Sequence, residues 1–240
     1  MSRKILLGLT TTSGSDWKEK VEECKKFDIK EIALFPTAIN SEKRKELYGL
    51  LENSPVKSIP HVHLRDDMEL WEMEYLKKIF GTQVFNIHNK NCTHNFSDFN
   101  ERSGGYKNKI YVENLEKSET IPDPNELEDF AGLCVDFSHW EDGIMLGEKD
   151  YDQKMREVVG KFPVGCSHIS AVSEKMVETR DAAFPEIIYR DYSKHFFENL
   201  SEFDYLKKYV QFIPELVSLE LENSFEEQLK AKEYIEKIIQ

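Results

Sequence analysis

Leu133-Cys134-Val135-Asp136-Phe137-Ser138-His139 carries the pattern that decides how this chain folds. An apolar run too short for a helix closes on an acid, and a histidine follows three positions later. A continuous apolar run of this length fits a strand buried on both faces. The form repeats on either side. Lys109–Glu113 comes before it and closes on Glu113, and Val164–Ile169 comes after it and contains His168. Farther out lie Gln83–His88, Val56–Leu64, Glu31–Phe35 and Lys4–Thr10 in one direction, and Leu216–Leu221 in the other.

Between these runs the spacing predicts amphipathic helices. Asp16 is placed to cap the first, and Ser41 to Leu51, Met68 to Phe80, Asp150 to Lys161 and Leu200 to Phe212 continue the alternation. Ser224 to Ile239 closes it, with Glu227 three residues after Ser224 in the spacing of a capping box. Gly81 and Asn53 stand where helices stop. Buried strands alternating with amphipathic helices predict a parallel sheet covered by helices. Eight such units in 240 residues predict one domain over residues 1–240, a single (β/α)8 barrel with its active site at the C-terminal strand ends. Two stretches depart from the repeat. The connection from Asn89 to Asn108 has only a weak helical pattern, Phe96 to Glu101, and then Ser103-Gly104-Gly105. The connection between the seventh and eighth strands is long and predicts an added loop over the barrel mouth. Its aromatics, Tyr189, Tyr192, Phe196 and Phe197, are expected to be buried beneath that loop, with a subunit contact as the other account.

Composition narrows the function classes. Hydrophobic residues make up 40% and charged residues 32%, the proportions of a soluble globular protein. No apolar run reaches the roughly 20 residues that span a bilayer, so no membrane partner is expected. The four cysteines, Cys24, Cys92, Cys134 and Cys166, show no CxxC and no framework spacing, which predicts reduced thiols and a cytoplasmic protein. A net charge of −13 disfavours polyanionic partners on average.

The chemistry follows from position. Strand ends line the mouth of such a barrel, and they hold His61 and His63, His88, Glu113, Asp136 with His139, His168, and Glu220 with Glu222. All seven histidines, counting His94 and His195, fall at strand ends or in the loops that follow. His61 and His63 share a strand face, so one suffices for function and the other is equally a packed core histidine. His94 lies in a polar loop and reads as a surface residue. Acids converging inside a barrel repel each other and raise one another's pKa, a penalty that a divalent cation removes. A mixed oxygen and nitrogen set suits Mn, Co, Mg, Zn or Fe without choosing among them.

Val62-His63-Leu64, Phe85-Asn86-Ile87-His88, Val112-Glu113-Asn114, Asp136-Phe137-Ser138-His139, Ser167-His168-Ile169-Ser170 and Ser218-Leu219-Glu220-Leu221-Glu222, in this order, resemble the xylose isomerase-like barrels. That superfamily includes sugar phosphate isomerases and epimerases, and the apurinic/apyrimidinic endonucleases of the endonuclease IV type. The resemblance covers nearly the whole chain. It implies that Glu113, Asp136, His168 and Glu220 ligate one metal, that Glu113 and Glu220 exchange a proton with substrate carbon, and that His139 contacts substrate. The endonuclease side of the family implies two or three metals, with His63 and His88 as further ligands and His139 with Asp191 and His195 completing a third position. Glu222, which shares a strand face with Glu220, reads either as a second ligand or as a rim residue. The chain departs from both patterns. Asp191 and His195 are spaced D-x-x-x-H where the endonucleases have D-x-H, and Glu174 stands where the epimerases have an arginine. The first expectation is an isomerase or epimerase of a small sugar or sugar-phosphate. The second is an abasic-site phosphodiesterase, the one case with a nucleic-acid partner. The third is a ligand-binding barrel without turnover.

Overall fold

In the computed structural model, which describes residues 3–12, 14–89, 105–180 and 188–239, alternate residues of each strand face two different surroundings. One set, including Ile5, Leu9, Ile32, Leu34, Val62, Phe85, Val112, Leu133, Val135 and Leu219, packs against the helices in one large apolar core. The other set faces inward. Among the described residues, only Leu6, Ala33 and Phe35, with Leu216 against them, form an apolar cluster there.

The strands are β1 (Lys4–Leu6), β2 (Gly8–Thr10), β3 (Glu31–Phe35), β4 (Ser58–His63), β5 (Val84–His88), β6 (Ile110–Glu113), β7 (Gly132–Asp136), β8 (Val164–Ile169), β9 (Ala171–Arg180), β10 (Ile188–Lys194) and β11 (Leu216–Leu219). Nine of them pair in the order β1-β11-β8-β7-β6-β5-β4-β3-β2. Every neighbour in that sheet is parallel. The expected strand Lys4–Thr10 is thus interrupted at Leu7. Its first part pairs with β11 and its second with β3, so the two ends of the sheet belong to nearly adjacent residues and the sheet curls into a nearly closed parallel barrel. Gly8 permits this seam, because a Cβ there would lie 1.8 Å from the Leu219 carbonyl oxygen. The buried Gln228 amide stitches it. Its oxygen accepts from the Gly8 N–H at 2.8 Å, and its nitrogen donates to the carbonyls of Gly8, Leu221 and Asn223 at 3.0 to 3.1 Å.

The helices are α1 (Trp17–Lys26), α2 (Ser41–Glu52), α3 (Leu70–Phe80), α4 (Pro124–Leu127), α5 (Phe137–Met145), α6 (Tyr151–Val159) and α7 (Phe225–Ile238). Asp16 caps α1, accepting from the N–H groups of Lys18 and Glu19 at 3.1 Å. Ser224 and Glu227 form the expected reciprocal box at the start of α7. Gly81 ends α3 in the left-handed conformation, and Asn53 ends α2.

Three expectations are corrected. Leu200 to Phe212 is not an α-helix but two 3-10 segments, Leu200–Lys208 and Val210–Phe212. Leu200, Phe203, Leu206, Tyr209 and Phe212 recur every third residue, which matches three residues per turn rather than 3.6. Among the described residues, the long seventh connection is not irregular loop. It is an antiparallel hairpin of β9 and β10, with a register shift between Asp191 and Ser193. Asp142 of α5 ties it down, accepting from the Tyr192 N–H and the Ser193 hydroxyl at 2.9 and 2.8 Å. Of its aromatics, Phe197 is buried and Tyr192 half-buried, but Tyr189 and Phe196 are exposed. Helix α5 itself escapes the periodicity because Gly143 interrupts it. A Cβ there would meet the Glu116 carbonyl at 2.6 Å, so the glycine lets this helix pack closely. The weak pattern at Phe96 to Glu101 lies outside the described residues, as do Cys92 and His94. Among the described residues no helix is long and apolar enough to cross a membrane.

Candidate metal centre

The inner face is polar where barrels usually pack branched aliphatics. Register sets this up. Glu113 pairs with His88 across β5 and β6, and Asp136 pairs with His168 across β7 and β8. Glu220 follows directly on β11. Glu113, Asp136, His168 and Glu220, all buried, each offer a ligand atom within 4.8 Å of the others. His63, His88 and Glu113 form a second such set. Glu113 therefore stands in both.

Its two oxygens face opposite ways. Oε1 is 3.1 Å from His168 Nδ1, and Oε2 is 3.0 Å from His63 Nε2. Asn86 also donates to Oε2. The His63 ring is fixed from behind, because its Nδ1 lies 2.9 Å from the Leu64 carbonyl and must donate there. Nε2 then meets the carboxylate either as a second N–H or across a cation. His168 Nδ1 is also 3.5 Å from Glu220 Oε2. Asp136 splits its roles. Oδ1 accepts from the Ser138 hydroxyl and from the His139 N–H, which also caps α5. Oδ2 is buried with no hydrogen-bond partner, and so is His168 Nε2. Unpaired carboxylate oxygens are costly in such places, and the donor set fits a divalent cation.

Electrostatics describe the same cluster holding protons. Burial works to raise the Glu113 pKa, but His168 and His63 outweigh it and hold the carboxyl well below its usual range. Burial works to lower His168, yet Glu113, then Glu220 and Asp136, lift it to about 10. His88 falls to about 4 through burial and then the charge of His63. Protonated His168 thus occupies the role a cation would take.

A second group borders the first. His139 Nε2 is 3.9 Å from Asp136 Oδ2, and its Nδ1 is 3.6 Å from Glu116. Burial opposes its charge, but Asp136 and Glu116 raise its pKa to about 9. Asp191 of the hairpin is pushed up to about 6, by burial first and then by Asp142 and Glu116. His195 borders the main cluster rather than Asp191, with Nε2 3.8 Å from Glu220 Oε1. Among the described residues no ligand set joins Asp191 to His195. Glu222 takes no part in the cluster either. The Thr12 hydroxyl holds it at 2.5 Å and it lies against Gly14.

Sequence reasoning missed several participants. Asn86 and Ser138 lie within the strand-end motifs but carry no ionisable group. Cys134 and Cys166 stand two residues before Asp136 and His168, on the same strand face. They sit opposite each other across β7 and β8. Burial raises both thiols; in Cys166 a hydrogen bond with Cys134 and the neighbouring His61 outweigh it and lower the pKa, while Cys134 stays raised.

No family model matches the chain. None of the curated proteins compared with it matches either.

Proposed function

We propose that this chain is a (β/α)8 barrel of the xylose isomerase-like kind, with β1 and β2 as halves of one strand. We further propose that it is a metal-dependent enzyme hydrolysing phosphate esters at a site holding more than one divalent cation. The observation that carries this is Glu113, whose two oxygens face His63 and His168 at 3.0 and 3.1 Å, the geometry of a carboxylate shared by two cation positions. Asp136, His168 and Glu220 complete one position, and His63 and His88 the other. Cations held there supply the positive charge that phosphoryl transfer to water requires. The chain's own groups serve the rest. His139, half-buried beside Asp136 and Glu116, is placed to donate a hydrogen bond to a substrate oxygen at the rim. Asp191, with a pKa near 6, is suited to moving a proton close to neutral pH.

The isomerase or epimerase reading, the first expectation from the sequence, takes second place; it is supported by the four-residue set that needs neither His63 nor His88. Its proton-transfer pair is Glu113 and Glu220, which both approach His168. Elemental analysis of the purified chain separates the two. Two or three metals per chain, with EDTA-sensitive cleavage of bis(p-nitrophenyl) phosphate or of an abasic-site duplex, is the expected result. One metal per chain, no cleavage, and solvent deuterium entering a ketose substrate would overturn the first reading in favour of the second.

A further inference from the structure

Beneath the mouth, the inner face of the barrel carries a second tier. Strand residues two apart share a face about 7 Å apart along the strand. His61 thus lies one step below His63, Cys134 below Asp136, Cys166 below His168, and Ser218 below Glu220. His61, Cys134 and Cys166 each offer a ligand atom within 4.8 Å of the others. All three are buried, and both thiols are free.

The histidine supplies an independent observation. His61 Nδ1 is engaged by the Ser218 hydroxyl at 2.7 Å, while Nε2 is buried with no close hydrogen-bond partner and the ring interacts with the Cys166 thiol. An imidazole filling space in a barrel core costs less with both nitrogens satisfied. A ring pinned through one nitrogen and unpaired at the other is arranged as metal-ligating histidines are. The chemistry of this tier also differs from the one above. The upper set is carboxylate and imidazole, which suits hard or borderline cations; the lower is sulfur and imidazole, which selects soft ones.

We propose that His61, Cys134 and Cys166 form a thiolate–imidazole site inside the barrel that takes a soft d10 cation, Zn2+ or Cu+. Binding exchanges the two thiol protons for the cation, so uptake releases protons and no electrons move. Cys134 also lies within reach of Glu113 and His168, so the site adjoins the mouth, but it needs none of the phosphate-ester chemistry proposed there.

Cadmium titrated anaerobically into the reduced, metal-free full chain tests it. A thiolate-to-cadmium absorption band saturating at one equivalent is expected, unaffected by excess Mg2+. C24S and C92S should keep the band, C134S and C166S should abolish it, and H61N should weaken binding by about 10-fold or more. E220Q, which alters only the mouth, should also keep it, so failure of the upper site and failure of the lower one are told apart. The wild-type 113Cd resonance gives an answer without any variant, since a shift typical of two sulfur ligands supports the site. An oxygen-ligated shift, absence of the band, or a purified chain already lighter by two hydrogens through a Cys134–Cys166 disulfide would each overturn it.

Discussion

The same strands present two faces with opposite chemistry. The outer face of β5 to β7 carries Phe85, Ile87, Val112, Leu133 and Val135 into the helix-covered core. The inner face carries Asn86, His88, Glu113, Cys134 and Asp136, one residue away in each case. The outer face provides the apolar burial that holds the fold, while the inner face is occupied by charged and polar groups whose contribution depends on how they are paired. Stability and chemistry are thereby separated by the two-residue period of a strand.

Substitutions can break that separation. The largest effect should come from the outer face. Phe85→Ala removes a fully buried ring and should cost about 3–5 kcal/mol in urea denaturation. Metal content per folded chain should stay unchanged. On the inner face, Glu113→Gln should leave the far-ultraviolet circular dichroism intact, reduce the number of cations retained, and lower any metal-dependent turnover by at least ~100-fold. Retention of the full metal complement by that variant would remove Glu113 from the centre.

Acidity gives a third, smaller effect. The His168 pKa rises on folding from its usual 6.5 to about 10. The native state therefore binds more protons than the unfolded chain between those values. Its contribution is complete below pH 6.5 and is lost as pH climbs through about 10. The melting temperature of the metal-free protein should fall across that interval. The gain on adding Mn2+ or Zn2+ should grow across it, because the cation replaces the departing proton. A metal-induced gain that shrinks with rising pH would contradict ligation by His168. The smallest effect concerns the hairpin. Asp191 has its pKa raised to about 6, so its charged form above that pH is a cost, and Asp191→Asn should raise the melting temperature at pH 7.5 by about a degree or two.

The barrel's strands were legible because their apolar runs are short and evenly distributed, and α1 and α7 because Asp16 and the Ser224–Glu227 pair mark their first turns. One acid at the end of an apolar run is commonly a salt-bridge partner or a helix cap, as Asp136 also is; the clustering at the mouth was legible from the recurrence of such residues at the ends of several strands. What stayed hidden depends on register and on period. Cys134 and Cys166 meet because the pairing of β7 with β8 shifts between Leu133 and Cys134 and skips Gly165. A Cβ at Gly165 would lie 2.1 Å from the Tyr111 ring, a packing constraint a glycine in sequence does not announce. The 3-10 segments were missed although their signal is present: Leu200, Phe203, Leu206, Tyr209 and Phe212 recur every third residue, whereas runs of 3-10 helix this long are uncommon and an amphipathic α-helix is the usual expectation.

The seam between β1 and β11 joins residues more than 200 positions apart, Lys4 with Leu216. Closing such a long loop comes late in folding, since its entropy must be lost before its contacts form. Until then the curled sheet has two open edges, β11 at one and the β1–β2 strand at the other. Because β11 leads directly into Glu220, beside His168 of β8, a cation held by both would tie the closing strand to its neighbour and act as a latch on the finished fold.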